Sequence, residues 1–377
     1  MTTLRGKTAI TGVGHTSWGK HPDRDRLSLM TEAAAAAIAD AGLEKGQIDA
    51  VLVKMANSAP SILWGQKVAE ALGLQPAIGL SLDQGGAACT GLATYAALAI
   101  EAGMIENALI LYADTPRTGS RAAMHRPRGD DAVMGWYSVA AGYAMLHRAY
   151  RETYGANDED FGIIAVQARA HGAANPHAHL RLPLSMEEYL SGPLVVEPMR
   201  RDDCCLVSDG GAAIVIGATS RAADRSRAVP VLGLGQGQES WEVHLRPDLL
   251  QTRAQASAEM AFRMAGIGRG DISFAQLYDC FTVTVLQTLE DYGLAPRGQA
   301  GARARGEGVG VDGWLPLNTS GGLLSESGTP GLQLIIEAVR QLRGEAVLQT
   351  PAPRFGLVSN QGGTMHTHAT MILGEPQ

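Results

Sequence analysis

The chain has 377 residues, 45% apolar and 18% charged, with a net charge of −7 and 46 glycines. That is enough for one large or two ordinary domains with a packed core, and it excludes a disordered chain. The acidic balance argues against nucleic acid as the main partner, and no apolar run approaches the roughly 18 residues of a membrane span.

Residues 7–13 (KTAITGV) predict a strand running into a glycine turn. Residues 27–41 predict an alanine-rich helix ended by Gly42, residues 48–55 an apolar strand, and residues 61–73 a second helix. A short strand at 79–82 leads into DQGGAACTG (83–91), and an apolar run rich in small residues follows to Ala102. Cys89 thus stands at the end of a glycine turn and at the start of a buried helix. The first N–H groups of such a helix have no internal partner and its dipole end is positive, so a lowered thiol pKa and a nucleophilic thiolate are expected there. The same N–H groups suit an oxyanion. The alternative is an inert core cysteine. Residues 107–112 predict the next buried strand, and the alternation is that of a parallel α/β sheet.

From 115 to 198 the texture changes to basic, Gly- and Pro-rich pieces alternating with helices at 139–154 and 158–172, which reads as an inserted loop region. Arg117, Arg121, Arg126 and Arg128 lie in it as candidate phosphate contacts. Residues 212–217 return as a core strand. The four cysteines, Cys89, Cys204, Cys205 and Cys280, show no metal-ligand spacing, so reduced thiols, a cytoplasmic location and no metal are expected. MTTLRGKTAI lacks the apolar core of a signal peptide.

A second α/β half begins at Val229 and repeats the first. Gly42 and Gly266, Gly46 and Gly270, and Ile48 and Ile272 each lie 224 residues apart. Gly85-Gly86 and Ile100-Glu101-Ala102 match Gly321-Gly322 and Ile336-Glu337-Ala338 at a spacing of 236, which sets Ser325 opposite Cys89. Two stretches repeated in the same order indicate a duplicated βα unit.

GGAACTG (85–91), DCCLVSDGGAAIV (203–215), LYDCFTVTVLQTLEDYGL (277–294), LPLNTSGGLLSE (315–326) and RQLRGE (340–345) together resemble the thiolase superfamily. The resemblance is to sterol-carrier-protein-type thiolases and to relatives that cleave steroid side chains by a retro-aldol reaction. It implies an α/β thiolase fold of two duplicated βαβαβ halves, 1–225 and 226–377, in five layers α/β/α/β/α, with the loop insertion at about 115–198. It implies coenzyme A as part of an acyl-CoA substrate or product, a homodimer, and a separate OB-fold and zinc-ribbon partner subunit.

Carried over by position, Cys89 matches the acyl-accepting nucleophile. Tyr278 stands where the His of the family's His-Asp-Cys-Phe block stands, as it does in the aldolase-like relatives. Gln361, Gly362 and Gly363 match the loop that lines the active site. Three departures are visible: Gly328 replaces the His of Gly-His-Pro, it also replaces the Tyr found there in the aldolase-like relatives, and Gly362 falls where a second thiolase cysteine acts. His366 and His368, two apart and on one strand face, are candidates to supply the missing imidazole to Cys89. Surface or subunit-interface histidines are the alternative. The leading expectation is thiolytic cleavage of a 3-oxoacyl-CoA through acyl-Cys89. The second is retro-aldol cleavage of a 3-hydroxyacyl-CoA by Tyr278 without a covalent intermediate.

Overall fold

The computed structural model describes residues 4–58, 60–119, 129–136 and 138–376. The first half runs β1 (Thr8–His15), α1 (Arg26–Asp40), β2 (Ala50–Lys54), α2 (Trp64–Ala71), β3 (Ile78–Leu82), α3 (Ala88–Glu101) and β4 (Asn107–Asp114). After it come α4 (Val139–Tyr154), α5 (Asp158–Ala174), α6 (Met186–Ser191) and the pair β5 (Leu194–Val196) and β6 (Met199–Arg200), and then β7 (Gly210–Ala218). The second half runs β8 (Val229–Gln238), α7 (Ala254–Ala265), β9 (Phe274–Leu277), α8 (Thr282–Asp291), α9 (Ala300–Glu307), α10 (Gly322–Ser325), α11 (Leu332–Arg343), β10 (Phe355–Gly362) and β11 (Thr367–Gly374). Local chemistry sets several helix ends. The Asp25 carboxylate accepts the Ser28 N–H at 2.7 Å to start α1, and Gly266, at φ +65, ends α7 in the left-handed region that glycine tolerates.

The strands form a nine-stranded sheet in the order β3-β2-β4-β7-β1-β8-β11-β10-β9. Outward from the antiparallel β1–β8 pair, which joins only at Ala9–Pro230 and Ile10–Val229, the two halves mirror each other. β7 and β4 on one side correspond to β11 and β10 on the other, β2 corresponds to β9, and a parallel bridge from Ala275 to Leu317 stands where β3 stands in the first half.

Period-two alternation divides the first half between two cores. Val51, Val53, Leu109, Leu111, Ala213 and Val215 pack outward under α1 and α2. Ala50, Leu52, Ala108, Ile110, Tyr112, Ile214 and Ile216 pack inward with Cys89 and Leu92 of α3. α3 also touches β10 and β11, while α11 touches β9 and β10 as well as β1 and β7. These two helices are therefore the middle of five layers, with α7 outside β8 and β11. Close approach of α7 requires glycine beneath it: a Cβ at Gly235 would collide with the Ser257 carbonyl.

The second half departs from the repeat at its helix start. Ser325 ends the four-residue α10, and the long helix begins only at Leu332. Pro330 lacks an N–H, and Gly331 sits at φ +78, so the chain turns once more before α11. Ser325, whose Oγ donates to the Leu180 carbonyl at 2.6 Å, is thus no structural counterpart of Cys89.

Candidate active site

The glycine turn after β3 is an Asx turn in which the Asp83 carboxylate accepts the Gly85 N–H at 3.0 Å. Gly85 lies at φ +58, and a Cβ there would come within 2.8 Å of the Gly362 Cα. The two glycine loops, one from each half, therefore touch backbone to backbone. Cys89 follows in the first turn of α3, fully buried, with Sγ 3.6 Å from the Pro330 carbonyl. Burial pushes its thiol up to about 12, only partly opposed by Lys54. Desolvation at the enclosed sulfur thus works against the helix-start thiolate that the sequence leads one to expect.

Lys54 was not a sequence candidate. It ends β2 on the inner face that carries Ala50 and Leu52, and it is completely buried. Its Nζ donates to the Met55 carbonyl and to Asn57 Oδ1, each at 3.0 Å, and lies 4.6 Å from the Tyr112 ring centroid. Asp114 at the end of β4 accepts from Ser58 N–H at 3.0 Å and from the Tyr112 hydroxyl at 3.1 Å. A lysine closing the apolar strand AVLVK at an inward position is the signal that marks this corner.

The opposite wall begins where β9 ends. The Asn318 side chain clamps Leu277, accepting its N–H at 2.7 Å and donating to its carbonyl at 2.9 Å. Tyr278 follows and leans on the first half, since a Cβ at Gly86 would collide with its Cζ and hydroxyl oxygen and with the Gln361 carbonyl. Burial, with Cys280, Cys205 and Cys89 nearby, holds the phenol well above its ordinary range, so it is a protonated group at neutral pH. Asp279 caps α10, accepting the Leu323 N–H at 2.8 Å, and burial raises its carboxyl to about 6. Cys280 is buried and receives Gln361 Nε2 at 2.9 Å. Gln361 Nε2 also reaches the Tyr143 hydroxyl at 3.0 Å, and that hydroxyl donates to the Gly363 carbonyl. Tyr143 stacks on Phe281 with centroids 4.2 Å apart, which ties α4 to the start of α8. Cys204 and Cys205 lie half-buried beside this wall, and Cys205 N–H donates to the Cys280 carbonyl at 2.9 Å.

Residue 328, where a histidine or tyrosine would enter, has no room for a side chain. A Cβ on Gly328 would collide with the Leu206 carbonyl, and the Gly328 N–H is held by Ser208 Oγ at 3.1 Å.

The structure also places the two histidines proposed for Cys89. His366 lies in the turn between β10 and β11, and its Nδ1 accepts the Thr364 N–H at 2.7 Å. Thr367, not His368, faces the cysteine loop, donating its hydroxyl to the Gln84 carbonyl at 2.9 Å. His368 therefore points to the other sheet face, toward α7, where Thr370 meets Ser257 at 2.7 Å. Its Nε2 lies 3.2 Å from the Met365 carbonyl, and burial, with Arg246 nearby, lowers its pKa to about 3. His368 thus sits on the sheet face away from the cysteine loop, which argues against it as the base for Cys89. Gly362 and Gly363 do meet the cysteine loop, as described. The backbone N–H of Arg117 donates to Asp209 at 2.7 Å, and its guanidinium lies 3.5 Å from the Val207 carbonyl. Arg121, Arg126 and Arg128 lie outside the described residues.

Together these walls bring a buried thiol, a buried lysine and a protonated phenol to the meeting point of two glycine loops. The set can donate a proton from Tyr278; the Ala88 N–H that opens α3 is held by the Gly85 carbonyl at 3.3 Å, so a developing oxyanion there would draw on the N–H groups that follow it. Among the described residues no three His, Cys, Asp or Glu side chains converge as a metal site, and no helix is long and apolar enough to cross a membrane.

Residues 235–375 match the family described as "Thiolase C-terminal domain-like". The chain is 35% identical to the steroid side-chain-cleaving aldolase of Thermomonospora curvata, over 99% of each chain. It is 32% identical to the 17-hydroxy-3-oxo-4-pregnene-20-carboxyl-CoA lyase of Mycobacterium tuberculosis, over 98% of this chain and 100% of that one. Among solved structures, the Ltp2-ChsH2(DUF35) aldolase superposes with a TM-score of 0.90 at 34% identity, covering 99% of both chains.

Proposed function

The chain belongs to the thiolase superfamily, in the subgroup of the steroid side-chain aldolases and sterol-carrier-protein-type thiolases, and from that premise we propose that it cleaves a 3-hydroxyacyl-CoA thioester by a retro-aldol reaction. The observation that carries this reading is Tyr278, buried against the cysteine loop at Gly86, together with Gly328: a Cβ there would collide with the Leu206 carbonyl, so neither the histidine of thiolases nor the tyrosine of the aldolase-like relatives is supplied from that position. Tyr278 remains as the proton-handling group. As the C2–C3 bond breaks, its O–H protonates the enolate carbon left on the thioester, and the phenolate so formed takes the proton of the substrate hydroxyl, which becomes the new carbonyl, so the phenol is regenerated. The N–H groups of α3 that follow Ala88 hold the enolate oxygen. The names of the two relatives, a side-chain-cleaving aldolase and a carboxyl-CoA lyase, support a CoA thioester carried on a steroid-like skeleton.

A second reading, thiolysis of a 3-oxoacyl-CoA through acyl-Cys89, is favoured by the placement of Cys89 in the first turn of α3. The test is Cys89→Ala assayed on both substrate types. Retro-aldol cleavage that persists supports the first reading, and loss of all C–C cleavage supports the second.

Two assembly proposals accompany this. The named complex of the structural relative supports a partner subunit of the OB-fold and zinc-ribbon type. β3 lies at the sheet edge with all its residues half-buried, and Leu98 of α3 is 54% exposed nearby, which supports a homodimer across that edge. Light scattering of the chain with and without its partner checks both. The duplicated halves are proposed to divide at 225 and 226, in the connection between β7 and β8.

A further inference from the structure

We propose that Gln361 is a positioning residue: its side-chain amide fastens the turn after β10 to the segment that bears Tyr278, and so sets where the phenol meets the cysteine loop. The inference rests on the retro-aldol reading, in which Tyr278 handles the proton. Two groups press on Gly86. A Cβ there would lie 2.2 Å from the Gln361 carbonyl oxygen and 2.4 Å from both the Cζ and the hydroxyl oxygen of Tyr278. The ring and that carbonyl are therefore neighbours over one glycine. Among the described residues no hydrogen bond holds the Tyr278 hydroxyl, so packing against Gly86 and Gln361 sets its direction. The Tyr278 main chain is anchored separately, its carbonyl accepting from Thr284 Oγ1 at 2.9 Å.

The amide of Gln361 has one orientation that satisfies its neighbours. The Met365 N–H can only donate, so Oε1 is the atom that accepts from it, at 3.2 Å. Nε2 then points to Cys280 Sγ at 2.9 Å and to the Tyr143 oxygen at 3.0 Å. Tyr143 has one hydroxyl proton and gives it to the Gly363 carbonyl, so its oxygen accepts from Nε2. One buried side chain thus joins three parts of the site. Cys280 lies two residues beyond Tyr278, and Tyr143 belongs to α4. Met365 holds the turn at φ +54, a left-handed conformation that residues with a side chain rarely adopt. Other groups hold this turn from the far side: Arg246 Nη1 donates to the Thr364 carbonyl at 2.7 Å, and the Glu239 N–H to the His366 carbonyl at 2.6 Å. Gln361 ties it inward, to the wall of Tyr278. Without the amide, the Met365 N–H and the Tyr143 oxygen lose a buried partner, and the turn is released from the segment it helps to place.

The experiment is a double-mutant cycle on turnover of a 3-hydroxyacyl-CoA thioester with a steroid skeleton by the full-length protein, using Gln361→Leu, Tyr278→Phe and the two combined. Gln361→Leu alone should lower kcat on the order of 10- to 10²-fold with KM little changed. In the Tyr278→Phe background there is no hydroxyl to place, and the same change should cost less than about threefold. A merely structural defect would cost the same in both backgrounds, and that result overturns the proposal. So does an unaltered kcat in a folded Gln361→Leu protein. If Gln361→Leu does not fold, Gln361→Glu takes its place in the cycle, since a carboxylate of the same size keeps the acceptor for Met365 and loses both donors. No wild-type turnover, or full turnover by Tyr278→Phe, sinks the retro-aldol reading and this inference with it. A crippled Tyr278→Phe with additive losses sinks this inference alone.

Discussion

The phenol of Tyr278 rests against the backbone of Gly86, three residues before Cys89, and no side chain fits between them. One contact thus joins the end of β9 in the second half to the glycine loop of the first. Gly86→Ala should push the phenol and the Gln361 carbonyl away from the cysteine loop. Overpacking of this kind costs about 1–3 kcal/mol, and misplacing a reacting group by about 1 Å costs on the order of 10²-fold in turnover. Thermal melts and steady-state kinetics on the same preparation check both effects. Near-wild-type turnover would remove Tyr278 from the chemistry.

Tyr278→Phe keeps the ring against Gly86 and removes only the hydroxyl. The expected result is a fall in kcat on the order of 10²–10⁴-fold with KM little changed, the pattern of a group used in the transition state. Because burial raises the phenol above its ordinary pKa, wild-type activity should show no decline from tyrosine ionisation below about pH 10. A pH–rate profile with an alkaline limb near pH 8 that vanishes in Tyr278→Phe would contradict this assignment.

Gly328 is where the chain parts from histidine-bearing thiolases. Gly328→Ala should destabilise the protein by about 1–3 kcal/mol, because the Leu206 carbonyl is backbone and gives way only with the whole segment. Gly328→His should likewise fail to create thiolysis activity. Denaturant melts and a thiolysis assay decide the matter, and efficient thiolysis by Gly328→His would show that the Leu206 segment yields readily.

Glu326 gives a pH test away from the thiol. It is buried, its Oε2 accepts the Ser320 hydroxyl at 2.6 Å, and desolvation raises its carboxyl from 4.5 to about 8. A raised acid favours its protonated form in the folded state. Its contribution is therefore full below about pH 4.5 and is lost as pH rises toward about 8, with a limiting slope of roughly 1.4 kcal/mol per pH unit. Glu326→Gln stays uncharged and can still accept from Ser320. Its stability relative to wild type should therefore be greater at pH 8 than at pH 5 in paired urea melts. An equal difference at both pH values would show that Glu326 does not titrate over this range.

The order of elements was legible in the sequence because it rests on local signals. Alternating apolar strands, glycine stops and the repeats around Gly42 and Gly266 depend only on residues near one another. They predicted β2, β4 and the helix of Cys89, and the family motifs led to the thiolase fold and to Tyr278 at the end of β9. What local signals do not contain is which face meets which. His366 and His368 looked like partners for Cys89 by spacing alone, yet the pairing of β11 between β8 and β10 turns Thr367 inward and His368 toward α7. The helix start of Cys89 promised a thiolate, yet the second half closes over the sulfur, and the desolvation that results, which depends on every surrounding chain segment, works against the ionised form. Lys54 stood in plain view at the end of AVLVK. Only the joining of β2, β3 and β4 buried its amine on the inner face of the sheet, the face whose core holds Cys89, because strand register, unlike strand propensity, is fixed by contacts far apart in the chain.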